Sequence, residues 1–408
     1  MAGEWDLLLG RWMYREGRRL EIHPLVMSPL PVLTVLLSPI GLLAFLALRA
    51  TRTAHAARSR ATAPAARPDP RRHGRNGRSY ADAMEQPPAP SRLDRAVGTV
   101  VGSAVGDALG APFEFGEPGV YRARFGDGPG EMRGGGGWDP GEATDDTHMA
   151  VLVGESLLEH GGVNGQDVFA RFQMWAAGDP KDIGLQTEQV LTGGDPWDMA
   201  AALHFQMTGR AAGNGSLMRA STSAVFFAGA GRSATMAAAR ELAALTHGDR
   251  AAWEGTAVLH ELIRVALEGA DPLAAVPQAL AQVDPGHRAR WAAVLAPDWH
   301  PGLATEFNGA VWPCLGSAVW ALRTTSSFEA SLAAAIDLGG DTDTVAAVTG
   351  ALAGAVHGIG AVPARWTRAL HVPLPGWGNR VLRLAELTEL AGSLAGFHGR
   401  GQSVGPGG

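Results

Sequence analysis

The chain has a single cysteine, Cys314, among its 408 residues. One thiol rules out an intrachain disulfide framework and a cysteine-based zinc site, and it fits a reducing compartment. Set in the apolar run Val311, Trp312 and Leu315, it reads as core rather than nucleophile. Charge is also scarce. Asp, Glu, Lys and Arg make up 18% of the residues and the formal charge is −6. Polyanion binders carry a basic excess, so no sequence-specific nucleic-acid binding is expected. No histidine pair stands at metal-ligand spacing, which argues against zinc. Runs of alternating β-branched residues are missing too, and nothing predicts a sheet.

What the chain does have is 46% apolar residues and 55 glycines, a composition suited to tightly packed helices joined by Gly-rich loops. Three regions differ in character. Residues 24–48 (PLVMSPLPVLTVLLSPIGLLAFLAL) contain no ionisable side chain. As a helix of ~25 residues this stretch would reach ~37 Å, enough to cross a bilayer core, although Pro29, Pro31 and Pro39 would kink it. A secretory signal is the rival reading. Arg49, Arg52, Arg58 and Arg60 follow, and the positive-inside bias would keep that side, and the soluble part, cytoplasmic. Residues 49–91 are rich in Ala, Arg, Pro and Gly, lack the apolar side chains that ordering requires, and read as a disordered linker.

Residues 92–396 carry helical periodicity throughout, and 397–408 read as a flexible tail. Ser91 is an N-cap candidate, placing Leu93, Val97, Val100, Val101 and Val105 on one stripe. The expected fold is all-α, a compact multi-helix bundle with Gly-rich loops.

Two acidic knots stand where loop turns to helix: Thr144-Asp145-Asp146-Thr147 after GGGGWDPGEA, and Asp341-Thr342-Asp343-Thr344 after Gly339-Gly340. Capping accounts for one Asp or Thr at each place, but not for a cluster. If the two helices pack side by side, four carboxylates converge. Charges ~5 Å apart at an effective dielectric of ~20 repel by roughly 3 kcal/mol per pair. A hard divalent cation bound by carboxylate, hydroxyl and water oxygens would relieve that repulsion. Glu114, just after GDALGAPF, stands where it could face the same ions; a solvent-exposed glutamate is the simpler reading of its local sequence.

At this point the residues resemble the ADP-ribosylglycohydrolase family. The matching pieces fall in family order: Gly102 to Glu114, Thr144 to Thr147, Asp182-Ile183-Gly184, Gly213-Asn214-Gly215-Ser216-Leu217-Met218-Arg219, Leu245-Thr246-His247 and Leu338 to Thr344, with Pro363, Arg365 and Trp366 closing the segment. The resemblance implies two Mg²⁺ or Mn²⁺ ions. Thr144, Asp145, Asp146 and Asp343 would hold one. Asp341, Asp343 and Thr344, with Glu114, would hold the other. It further implies that Gly213 to Met218 wrap a diphosphate and ribose, that His247 and Asp107 line the substrate, and that Glu114 or Asp145 serves as the catalytic acid–base. The substrate would be an ADP-ribosylated protein or a small ADP-ribose conjugate, met by a monomer. His148 stands where many relatives carry glutamine, and Ser221 to Ser223 follow the Met-Arg-Ala step where proline is common. Two rivals remain, a non-catalytic ADP-ribose binder and a Mg²⁺-dependent nucleotide phosphohydrolase; a structural protein on this fold is a third.

The N-terminal stretch from Asp6 to Arg49 resembles part of the small ABA4-like membrane proteins. The alternatives there are an anchor associating with a membrane through residues 24–48, a fused remnant, or a soluble chain that starts at Met84.

Overall fold

The computed structural model describes residues 89–126, 130–209 and 212–397. The apolar stretch at 24–48, most of the 49–91 linker, Met84 and the tail beyond residue 397 lie outside the described residues. The chain divides into two units, Met1–Ala89 and Pro90–Gly408, and the description that follows concerns the second.

The second unit is a helical bundle. Its helices are α1 (Arg92–Gly110), α2 (Val120–Phe125), α3 (Asp145–His160), α4 (Gly165–Ala177), α5 (Leu185–Thr192), α6 (Ala200–Thr208), α7 (Ser221–Phe227) and α8 (Arg232–Ala244). They continue with α9 (Arg250–Leu267), α10 (Val276–Ala281), α11 (Pro285–Val294), α12 (Val311–Thr324), α13 (Phe328–Ile336), α14 (Thr342–His357), α15 (Ala364–Ala369) and α16 (Leu384–Phe397). A short antiparallel hairpin, absent from the sequence expectation, pairs Val372 with Leu382 and Pro373 with Val381.

Helix α1 begins in a capping box. The Ser91 hydroxyl accepts from the Asp94 amide at 3.1 Å, and the Asp94 carboxylate accepts from the Ser91 amide at 3.0 Å. Val97, Val100, Val101 and Val105 are buried as their spacing predicts, but Leu93 is 54% exposed and leaves the stripe, because it sits in the first turn before the helix enters the core. Two boundaries also shift. Pro90 and Ser91 belong to the fold rather than to the linker, and α16 runs on to Phe397, whose ring lies 4.7 Å from that of Phe226.

The centre of the bundle is the seam between α1 and α14. Gly98, Gly102, Gly106 and Gly110 recur every four residues on one face of α1. A Cβ on Gly106 would lie 2.0 Å from the Ala346 carbonyl oxygen, and one on Gly354 would lie 1.9 Å from that of Gly98. The two helices therefore touch main chain to main chain. Although α1 is apolar enough by composition to cross a membrane, nearly all of it is buried inside the unit, so it is a core helix.

Candidate active site

The α1–α14 seam ends at the two acidic knots. Asp107 lies one turn from the end of α1, and Asp343 in the first turn of α14. The Thr342 hydroxyl donates to the Gly110 carbonyl at 2.9 Å, tying the start of one helix to the end of the other. Across the gap, the Thr344 hydroxyl contacts the Asp146 carboxylate at 3.4 Å. Residues 198 apart in sequence are thus neighbours, and both knots open on one site.

Capping explains little of this cluster. Thr144 caps α3, its hydroxyl accepting from the Asp146 amide at 3.3 Å, so neither Asp145 nor Asp146 is needed there. Asp341 occupies the N-cap position of α14 without making a side-chain cap. Its carboxylate instead accepts from the Asn214 side-chain amide at 3.0 Å. Its own amide donates to the Asn308 side chain at 2.9 Å, a brace that no motif singles out.

Asp107, expected beside the substrate, bonds to the start of α3. It is fully buried and accepts from the Thr144 amide at 3.0 Å, the Thr147 amide at 3.1 Å and the Thr147 hydroxyl at 2.5 Å. Its carboxylate is turned to the N-terminus of α3, so it holds the first knot in shape. Burial pushes its pKa up to about 6, against the lowering effect of these hydrogen bonds.

The electrostatics of the knots are unfavourable as they stand. Burial first, then Asp107, Asp145, Asp341 and Glu114, pushes the Asp146 carboxyl well above the usual carboxylate range. Burial followed by Glu114, Asp341, Asp146 and Asp107 does the same to Asp343. Asp146 Oδ2 is buried without a hydrogen-bond partner. A buried carboxylate oxygen with no donor, ringed by further acids and by the Thr344 hydroxyl, is the donor set a hard cation takes. The residues fit a divalent metal. Half-buried Glu114 stands at the end of the turn Ala111–Phe113 beside them.

A second group of metal-ligating type was not anticipated. Asp139, Glu142 and His371 bring one ligand atom each within 4.8 Å of one another. Glu142 is already paired there, its carboxylate 2.6 Å from the Lys181 ammonium, which also lies over the Trp138 ring.

The Gly-rich loop completes the site. Asn214 donates its amide to the Gly309 carbonyl at 3.0 Å, and residues 215–219 turn into α7. Gly213 and Gly215 are half-buried, whereas Ser216, Leu217 and Met218 point into the core. The loop lies over His247. A Cβ on Gly213 would be 3.5 Å from His247 Nε2, and one on Gly215 would be 3.3 Å from it. A side chain at Gly215 would crowd this ring, whereas one at Gly213 would meet it at ordinary contact distance.

The chain belongs to the ADP-ribosylglycohydrolase family, whose sequence profile matches residues 88–399. It is 28% identical over 292 residues to the ADP-ribosyl-[dinitrogen reductase] glycohydrolase of Rhodospirillum rubrum, a match covering 69% of this chain and 92% of that protein. It is also 28% identical to the ADP-ribosylarginine hydrolase Tri1 of Pseudomonas putida, covering 72% of this chain and 77% of the relative. A solved chain described as an ADP-ribosylglycohydrolase-related protein complex superposes with a TM-score of 0.59 at 34% identity, over 75% of this chain and 99% of that one. A second profile, ABA DEFICIENT 4-like, matches residues 4–45.

Proposed function

We propose that this enzyme removes ADP-ribose from a modified protein by hydrolysing the glycosidic bond at the anomeric carbon, and that it does so with two divalent cations, Mg²⁺ or Mn²⁺. The observation that carries this reading is the Asn214–Asp341 hydrogen bond, which joins a glycine loop suited to a diphosphate to a pair of acidic knots suited to metal. Two relatives with names that state a modified protein or residue act on dinitrogen reductase and on ADP-ribosylarginine, so arginine-linked ADP-ribose is the first substrate to test.

Thr144, Asp145, Asp146 and Asp343 would hold one cation, and Asp341, Asp343, Thr344 and Glu114 the other. Bound there, the ions would supply Lewis acidity to ribose hydroxyls and a lower pKa for a water molecule. The chain's own residues do the rest. Backbone N–H groups of Gly213 and Gly215 hold the diphosphate. Glu114 or Asp145 accepts the proton of the attacking water as its oxygen bonds to the anomeric carbon. The bond to the acceptor breaks with its electron pair leaving on the acceptor atom, which takes up a proton from the same carboxyl group. The knots' remaining negative charge faces the oxocarbenium-like transition state.

The test is a panel of arginine-, serine- and nucleobase-linked ADP-ribose substrates, assayed with and without chelator. Release of free ADP-ribose that stops on chelation supports the reading. Release of phosphate, or turnover indifferent to chelator, overturns it.

A further inference from the structure

Beneath the Gly-rich loop lies a cation for which the two-knot site has no use. The Arg219 guanidinium is buried and makes no ion pair among the described residues. It donates to the Gly215 carbonyl at 3.2 Å, to the Leu242 carbonyl at 3.1 Å and to the Thr246 hydroxyl at 2.8 Å, and it lies over the Phe172 ring. Among the described residues the Thr246 hydroxyl has one other partner, His247 Nδ1, at 2.8 Å.

These contacts decide a proton. A guanidinium can only donate, so Thr246 accepts from Arg219. Thr246 is fully buried, and among the described residues the one acceptor within reach of its own hydrogen is His247 Nδ1. Were Nδ1 protonated instead, both neighbours would donate to the hydroxyl and its hydrogen would be left buried without an acceptor. Nδ1 therefore accepts, and in a neutral ring Nε2 carries the hydrogen. Burial, followed by the nearby Arg219 charge, holds the His247 pKa well below the usual histidine range, which keeps the ring neutral.

We infer that Arg219 and Thr246 are positioning residues that lock His247 as its Nε2–H tautomer, so that the ring donates a hydrogen bond to an anionic phosphate oxygen held on the loop from Gly213 to Gly215. Nε2 is the ring atom turned to that loop. The buried guanidinium, bonded to the loop's own Gly215 carbonyl, adds fixed positive charge below the same place. The ligand half of this inference rests on the hydrolase reading; the tautomer half does not.

The test uses the full chain labelled with ¹⁵N-histidine, with His247→Ala identifying the ring signals. Wild type should show protonated Nε2 and bare Nδ1 without ligand, and the Nε2–H signal should shift downfield on addition of ADP-ribose. Thr246→Val keeps the side-chain shape and removes the relay. It should give a mixture of tautomers and raise KM roughly tenfold or more, the loss expected for a hydrogen bond to a charged group, with a smaller effect on kcat. Thr246→Ser should restore both. An Nδ1–H ring in wild type overturns the relay whatever the substrate is, and that spectrum decides the matter even if the valine variant fails to fold. Wild-type KM in a folded Thr246→Val protein overturns the positioning role. A ring that is Nε2–H in a protein unable to bind ADP-ribose supports the relay and refutes the hydrolase reading.

Discussion

Asp146→Asn should make the metal-free protein more stable and the metal-loaded protein less so. In the absence of metal, the Asp146 carboxylate is buried, has an oxygen without a partner, and is pressed by Asp107, Asp145, Asp341 and Glu114. Each charge pair ~6 Å apart at an effective dielectric of ~20 costs roughly 3 kcal/mol, and the raised pKa of the carboxyl relieves some of it. The amide should therefore return about 1–3 kcal/mol, or about 1.5–4.5 °C in Tm for a unit of this size. With metal present the order reverses. Wild type gains about 2.7 kcal/mol at a metal concentration a hundred times Kd, and the variant, short of one ligand charge, gains much less. Differential scanning fluorimetry in chelator and in excess Mg²⁺ or Mn²⁺ measures both arms. A variant that melts below wild type in chelator, yet responds fully to metal, would show that Asp146 is an ordinary helix-end residue and would remove the basis for a cation between the knots.

Glu114→Gln should retain ADP-ribose binding while lowering kcat by about 10²-fold or more, the usual share of a general acid–base; unchanged turnover would leave Asp145 alone in that role. Gly106→Ala should cost about 3 kcal/mol or more, since its methyl meets the Ala346 carbonyl at 2.0 Å, whereas Gly360→Ala, with nothing within 4 Å, should be neutral or slightly stabilising in urea melts. Burial depresses the His260 pKa from 6.5 to about 4, so the unfolded chain binds the extra proton first as pH falls. Its contribution, about 3 kcal/mol, is present above pH ~6.5 and lost between ~6.5 and ~4, and His260→Gln should flatten that part of the stability–pH curve.

The local pieces of this fold were readable because they depend on neighbours in the chain. Ser91 caps α1 through a residue three positions on, and Val97 to Val105 are buried by helical spacing alone. The acidic knots stood out because one cap needs one side chain and each knot offers several. What the sequence hid depends on which element lies opposite. The glycines of α1 look like weak helix formers until Ala346 and Gly350 are seen against them. Asp107 reads as one more acid in a family motif, but its partners Thr144 and Thr147 lie 37 and 40 residues away. The Asn308 brace and the Arg219–Thr246–His247 chain join segments whose spacing carries no pattern, and Leu93 was placed inside by a periodicity that ignores where the helix enters the core.

The glycine seam sets how the acids at its end are spaced. Side chains between two helices can swap rotamers and let the rods slide or breathe by fractions of an ångström. Here carbonyl meets α-carbon along most of four turns, so the gauge between α1 and α14 is the peptide unit itself, which has no rotamers to change. Evolution can retune the pocket wall at will, but the distance between Asp107 and Asp343 is written in bare backbone and drifts only if the bundle comes apart.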